Sequence, residues 1–142
     1  MSASASVAVA VTFVWLGMVV AISFIEAPLK FRAPEVTVKI GLGIGRLVFR
    51  AINTLEVLFA IVLVAALAVE TSTVVATVAL AVAVVALVLQ LALVRPRLTR
   101  RSDAVLAGEE APRSRAHHFY IALETVKAAA LIVGGVAALV AA

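Results

Sequence analysis

Long apolar runs and short polar breaks alternate along the chain, and the runs are too long for the interior of a soluble fold. Four are read, at about residues 5–25, 48–69, 73–94 and 118–140, each enough at 1.5 Å per residue to cross a hydrocarbon layer about 30 Å thick. None shows the strict two-residue alternation of a lipid-facing barrel strand, and only helices or closed barrels satisfy their backbone in lipid. The pattern therefore predicts an all-α fold, a four-helix transmembrane bundle forming a single domain over residues 1–142. The first run is read as a retained helix rather than a secretory leader, since no Lys or Arg precedes residue 26 and the run exceeds a leader's apolar core.

The breaks are punctuated by helix stops. Pro28 closes the first segment, and Pro34 suits the first residue of a new helix. Residues 35–47 form an expected interfacial segment ahead of helix two, loosened by Gly41, Gly43 and Gly45. That glycine triplet lacks the strand and βαβ setting of a nucleotide-binding turn, so close helix contact or a hinge is its expected use. The three-residue turn Glu70-Thr71-Ser72 makes segments two and three antiparallel neighbours. Residues 95–117, with Pro96, Gly108 and Pro112, read as a solvated connector. Small residues at helical spacing (Ser72, Ala76, Ala79, Ala83 and Ala86 on segment three; Ala130, Gly134 and Ala138 on segment four) predict close intramolecular helix packing.

Composition agrees: 65% of the 142 residues are hydrophobic and mean hydropathy is +1.21, against roughly half apolar in soluble domains. Charge sharpens the picture. Of twelve Lys and Arg, all but Lys127 fall in residues 30–50 (Lys30, Arg32, Lys39, Arg46, Arg50) or 95–115 (Arg95, Arg97, Arg100, Arg101, Arg113, Arg115). The positive-inside rule then makes both basic breaks cytoplasmic and both termini non-cytoplasmic. The net charge of +4 is juxtamembrane, so anionic lipid headgroups rather than nucleic acid are the expected counterpart. The absence of cysteine removes disulfides and thiolate metal sites. The bias to Arg, Ala and Val points to a GC-rich bacterium and a multi-pass protein of its plasma membrane.

Against this background a few polar residues inside the helices stand out. Arg46, Arg50, Asn53 and Glu56 are spaced four, three and three; His117, Tyr120, Glu124 and Lys127 are spaced three, four and three; each set shares one helical face. Ser23 and Glu26 come from segment one and Gln90 from segment three. All belong to the predicted cytoplasmic half. Glu56 and Lys127 lie about 12 and 14 Å into their segments, where one charge costs about 2.5–3.5 kcal/mol unless it pairs or reaches water. Lys127 is expected to pair with Glu56 from the neighbouring helix, with Asn53, Gln90 and Glu124 completing an intramembrane polar pocket and Glu26, Arg46, Arg50, His117 and Tyr120 at its entrance. Adjacent His117 and His118 point about 100° apart on a helix and have no third partner, so no metal and no cofactor are expected.

Several landmarks then line up: Trp15-x-Gly17, the exit Phe24 to Pro28 and Phe31, the glycine-rich lead-in with Gly45 and Phe49, Arg95-Pro96-Arg97, and the aromatic and His start of segment four at His117-His118-Phe119-Tyr120. In this order they resemble the transmembrane protein 205-like family, small four-helix membrane proteins grouped under a domain of unknown function. The resemblance implies the architecture and carries no mechanism. Glu124-Thr125 and Lys127 stand where the family has small polar residues and an Asn, and Glu26 and Glu56 are additions to its pattern.

The expected function is binding or transport of a small solute or lipid in the cytoplasm-facing pocket. The alternative is a non-catalytic accessory or scaffold subunit whose polar network fixes helix packing. No nucleophile–base pair with recognisable spacing occurs and no catalytic residue is assigned, so an enzyme is the less favoured class; a quinone- or lipid-directed one would use Glu56 or Glu124. Membrane lipids are the expected partners, with a homo-oligomer or a membrane partner protein left open.

Overall fold

The computed structural model describes residues 1–112 and 115–142, so Arg113 of the second basic stretch lies outside the described residues. Four helices, α1 (Ala3–Lys30), α2 (Val38–Val69), α3 (Val74–Leu106) and α4 (Arg115–Ala141), are each long and apolar enough to cross a membrane, and no strand occurs among the described residues. This is the architecture of a multi-pass integral membrane protein.

The helices outrun the apolar segments that predict them. Two prolines that should have stopped α1 and α3 are absorbed by π-helical turns immediately upstream, Val20–Glu26 and Gln90–Val94. A proline ring clashes with the carbonyl four residues before it and removes one N–H donor. Here the ladder widens instead: the Ala27 N–H reaches the Ile22 carbonyl, and the Arg95 N–H reaches the Gln90 carbonyl. The helix therefore passes through Pro28 to Lys30 and through Pro96 to Leu106. Much of the expected 95–117 loop is thus helix. Pro34 lies in the turn rather than at a helix start, and Thr37 caps α2, its Oγ1 accepting from the Ile40 N–H at 3.2 Å. The expected lead-in is α-helical from Val38 and continuous with the apolar part of α2. Ser2 and Thr73 cap α1 and α3 in the same way.

The order of packing differs from the order of the chain. α3 packs most extensively on α4, and α1 packs on both α2 and α4. α2 and α3, the expected antiparallel neighbours, meet only sparsely in their spanning parts and more at the basic end, where Arg95–Leu106 packs on α2. A short turn fixes antiparallel direction; side-chain shape decides how closely the helices then approach. The small stripe of α3 meets α4, where a Cβ added to Gly134 would lie 2.6 Å from Leu80 Cδ2. One added to Gly135 would lie 2.9 Å from Phe13 Cζ of α1. Two adjacent glycines thus let α4 approach two partners at once. Trp15, Leu63, Leu80 and Leu131 fill the core, while the Val and Leu residues of the outward faces are exposed, as suits lipid contact.

One end of the bundle carries the α2–α3 turn and the N-terminus, held together by a hydrogen bond from the Ser2 hydroxyl to the Glu70 carboxylate. The other end carries the described basic residues of both charged stretches.

Candidate functional site

α-Helical spacing brings Ala8, Thr12, Trp15 and Val19 to the buried face of α1. It likewise brings Glu56, Ala60 and Leu63 to that of α2, and Tyr120, Glu124, Lys127 and Leu131 to that of α4. Where these faces converge with Gln90 of α3, five polar side chains form one closed network. Lys127, wholly enclosed at 0% exposure, donates to the Glu56 carboxylate and to Gln90 Oε1 at 2.9 Å, and lies 3.0 Å from Glu124 Oε1. Glu56 Oε2 also accepts from Trp15 Nε1–H at 2.9 Å. Gln90 Nε2 donates to Glu124 Oε2 at 2.9 Å and to the Tyr120 carbonyl at 3.3 Å.

The Lys127–Glu56 pair spans a diagonal of the bundle, since α2 and α4 are not packed directly on each other, which corrects the expectation that the two come from neighbouring helices. Two long side chains meet across the gap with the Trp15 indole beside them. Every helix contributes, so the network sets the rotation of all four about their axes. An enclosed ammonium is tolerable only with several acceptors, and Glu56, Gln90 and Glu124 supply them.

Toward the basic end the packing opens into a cavity of about 680 Å³. Its walls come from the end of α1 (Ser23 to Phe31), from α2 between Gly41 and Asn53, from α3 between Arg95 and Ser102, and from α4 between His117 and Glu124. Glu124 belongs to both regions: it lines the cavity and holds Lys127, so the buried network and the cavity are continuous. Both π-helical turns adjoin this cavity, and such turns recur at functional sites. Gly41 and Gly45 let the end of α1 fold against α2. A Cβ at Gly41 would strike the Phe31 ring, and one at Gly45 would lie 2.9 Å from Lys30 Nζ.

Of the residues singled out in the sequence, Glu56, Gln90, Glu124 and Lys127 share the network. Asn53 lines the cavity and takes no part in the network's hydrogen bonds. Arg46, Arg50, His117 and Tyr120 also line the cavity, Arg46 being ion-paired to Asp103. Glu26 stands behind the wall, its carboxylate 3.8 Å from Lys30 Nζ, a contact within α1. The His117 and His118 rings meet edge-on at 5.8 Å.

Four residues escaped the sequence reading. Trp15 stands outside the expected pocket, although an indole N–H on a buried face needs an acceptor and is a signal for the network. Arg95 was assigned to the loop. In an α-helix, a residue five positions after Gln90 sits well off its face, and the π-helical turn brings it round, so that both side chains reach Tyr120. Its Cζ lies 5.1 Å from the Phe49 ring centroid and 4.9 Å from that of Tyr120. The Phe49 and Tyr120 rings meet edge to face at 5.9 Å and 89°. Lys30 Nζ, the fourth residue's contribution, sits 5.8 Å from the Phe49 centroid.

Comparison adds no relative. No family model matches this chain, and no curated protein or solved structure matches it either. The chemistry of the site therefore rests on its own geometry. It offers hydrogen-bond donors, cations and aromatic walls at one end of an apolar bundle. Among the described residues no cluster of three metal-ligating side chains occurs.

Proposed function

We propose that this protein binds a small solute or lipid in the cavity at the basic end of the bundle, and that the cavity faces the cytoplasm. The observation that carries the reading is the continuity of the cavity with the buried ionic network through Glu124. A network serving helix registration alone would be expected to lie sealed among packed helices. This one opens through a carboxylate to a space within the 300–1,000 Å³ range typical of ligand pockets. The positive-inside rule supports the orientation, with both termini outside and the plasma membrane of a bacterium as the setting. Residues around Val38 would then sit at the headgroup level, with membrane lipids as immediate neighbours. Transport would follow if the helices rocked about the network, because the far half of the bundle is lined by Ala, Val and Leu and offers no polar path of its own.

The scaffold reading retains one observation in its favour. Lys127 is already satisfied by three partners inside the protein, so the network needs no ligand to be complete. The two readings separate on a cavity-filling variant, Asn53→Trp, because Asn53 lines the space without belonging to the network. Protein purified in mild detergent is analysed by native mass spectrometry for retained small molecules. Binding predicts a mass adduct on wild type that the folded variant has lost. Identical spectra without adducts would leave the scaffold reading standing.

A further inference from the structure

The side chains around the cavity do not contribute equally to its charge. Arg46 is committed to Asp103, and Arg101 Nε donates to the Ala111 carbonyl at 3.0 Å. Arg95 differs from both. Its Nε and Nη2 are buried, and neither finds an acceptor among the described residues. These two nitrogens form one edge of the guanidinium, where two N–H bonds run parallel at the spacing of the two oxygens of a carboxylate or phosphate. Phe49 and Tyr120 contact the guanidinium, and these aromatic contacts leave its hydrogen-bonding edge unused. Buried donors left unmade cost about 1–3 kcal/mol each, and more when charged, so a fold that holds an Arg in this way leaves a specific vacancy for an acceptor.

Resting on the binding reading above, we propose that Arg95 is the recognition residue for an organic oxyanion. The Nε–H and Nη2–H edge takes two oxygens of a carboxylate or phosphate, and Lys30, which flanks the same Phe49 ring, supplies a second positive charge. Lys30 suits that part. Its ammonium lines the cavity beside Phe49, and its acidic contact, Glu26, is a distant one at 3.8 Å. The acidic residue of the lining, Glu124, is engaged by Lys127 and Gln90. The volume exceeds what an inorganic anion fills, and Phe24, Phe31, Leu42 and Leu98 add apolar wall, so the ligand carries an apolar part as well as its oxyanion.

Two sources offer that chemistry, the phosphate of a membrane lipid and a water-soluble organic anion. Detergent-purified protein is titrated with phenyl phosphate and with phenyltrimethylammonium, a cation of similar size. Protein in phosphatidylcholine nanodiscs with and without phosphatidylglycerol is examined in parallel by native mass spectrometry for retained lipid. Wild type should bind phenyl phosphate or retain phosphatidylglycerol, and should ignore the cation. The arm that responds identifies the source.

Arg95→Gln should weaken the responding arm at least tenfold. Arg95→Lys keeps the charge and the contact with the rings but loses the parallel edge, and should weaken it severalfold. It also guards against a folding defect in the Gln variant, with thermal transitions run on both. Arg97→Gln, at an exposed position outside the cavity lining, should change the anion affinity less than twofold. Anion binding that both Arg95 variants retain at wild-type strength would overturn the assignment and leave the binding reading intact. Failure of wild type to bind either anion would overturn both.

Discussion

Replacing Lys127 with Met removes the one cation of the buried network while keeping most of the packing of its aliphatic stem. The side chain is fully enclosed and serves two carboxylates and an amide oxygen. Each unit-charge attraction at about 4 Å is worth about 4 kcal/mol at the effective dielectric of 20 typical of protein sites. Stripping one partner from a buried pair costs about 3–5 kcal/mol, because the remaining charge stays behind uncompensated. Lys127→Met should therefore lose about 3–5 kcal/mol. The geometry further predicts a graded rescue. Glu56→Gln added to Lys127→Met removes one stranded carboxylate but leaves Glu124, and should recover only part of the loss, about half, since two carboxylates share the cation. Adding Glu124→Gln as well should bring stability to within about 1–2 kcal/mol of wild type, because Gln at position 56 still offers Trp15 an acceptor. Unfolding in mixed micelles, titrated with dodecyl sulfate, reads all four proteins on one scale. A single-variant loss below about 1 kcal/mol, or full rescue by the double variant, would refute a network in which Glu124 shares the charge of Lys127.

Trp15→Phe removes the indole donor to Glu56 and should cost about 0.5–1.7 kcal/mol, consistent with interhelical hydrogen bonds in membranes averaging about 0.6 with a maximum near 1.7; a double-mutant cycle with Glu56→Met should give a coupling of about 0.5–1.5 kcal/mol, and zero coupling would disprove the contact. Gly134→Val drives a side chain into Leu80 and should destabilise by about 1–3 kcal/mol in thermal unfolding. Gly17→Ala, where nothing lies within 4 Å of the added Cβ, should be neutral or stabilising by up to about 1 kcal/mol. Because the chain has no cysteine, single thiols report orientation cleanly: Thr71→Cys should react with a membrane-impermeant maleimide on intact cells and Ala107→Cys only after permeabilisation, and the reverse pattern would invert the proposed topology.

The apolar runs and their lengths determine by themselves that this chain is helical and has four segments able to cross a membrane, because lipid leaves a backbone of continuous apolar runs no other way to satisfy its donors and acceptors. Charge placement marks which end of the bundle is polar. Spacing along single helices puts Glu56 on one face and Glu124 with Lys127 on another, so that much of the buried network is legible as an expectation. Beyond that, periodicity is a property of one helix and carries no information about which faces meet. Only the tertiary structure decided that the spanning part of α2 lies against α1 more than against α3, that Trp15 joins the network, and that Lys127 reaches Glu56 across the diagonal. Local backbone detail was equally hidden. The π-helical turns before Pro28 and Pro96 shift every later residue to a new face, converting an expected loop into helix and turning Arg95 toward Tyr120. A proline in sequence announces that the ladder must change; whether the helix stops or widens depends on whether packing on either side holds it together.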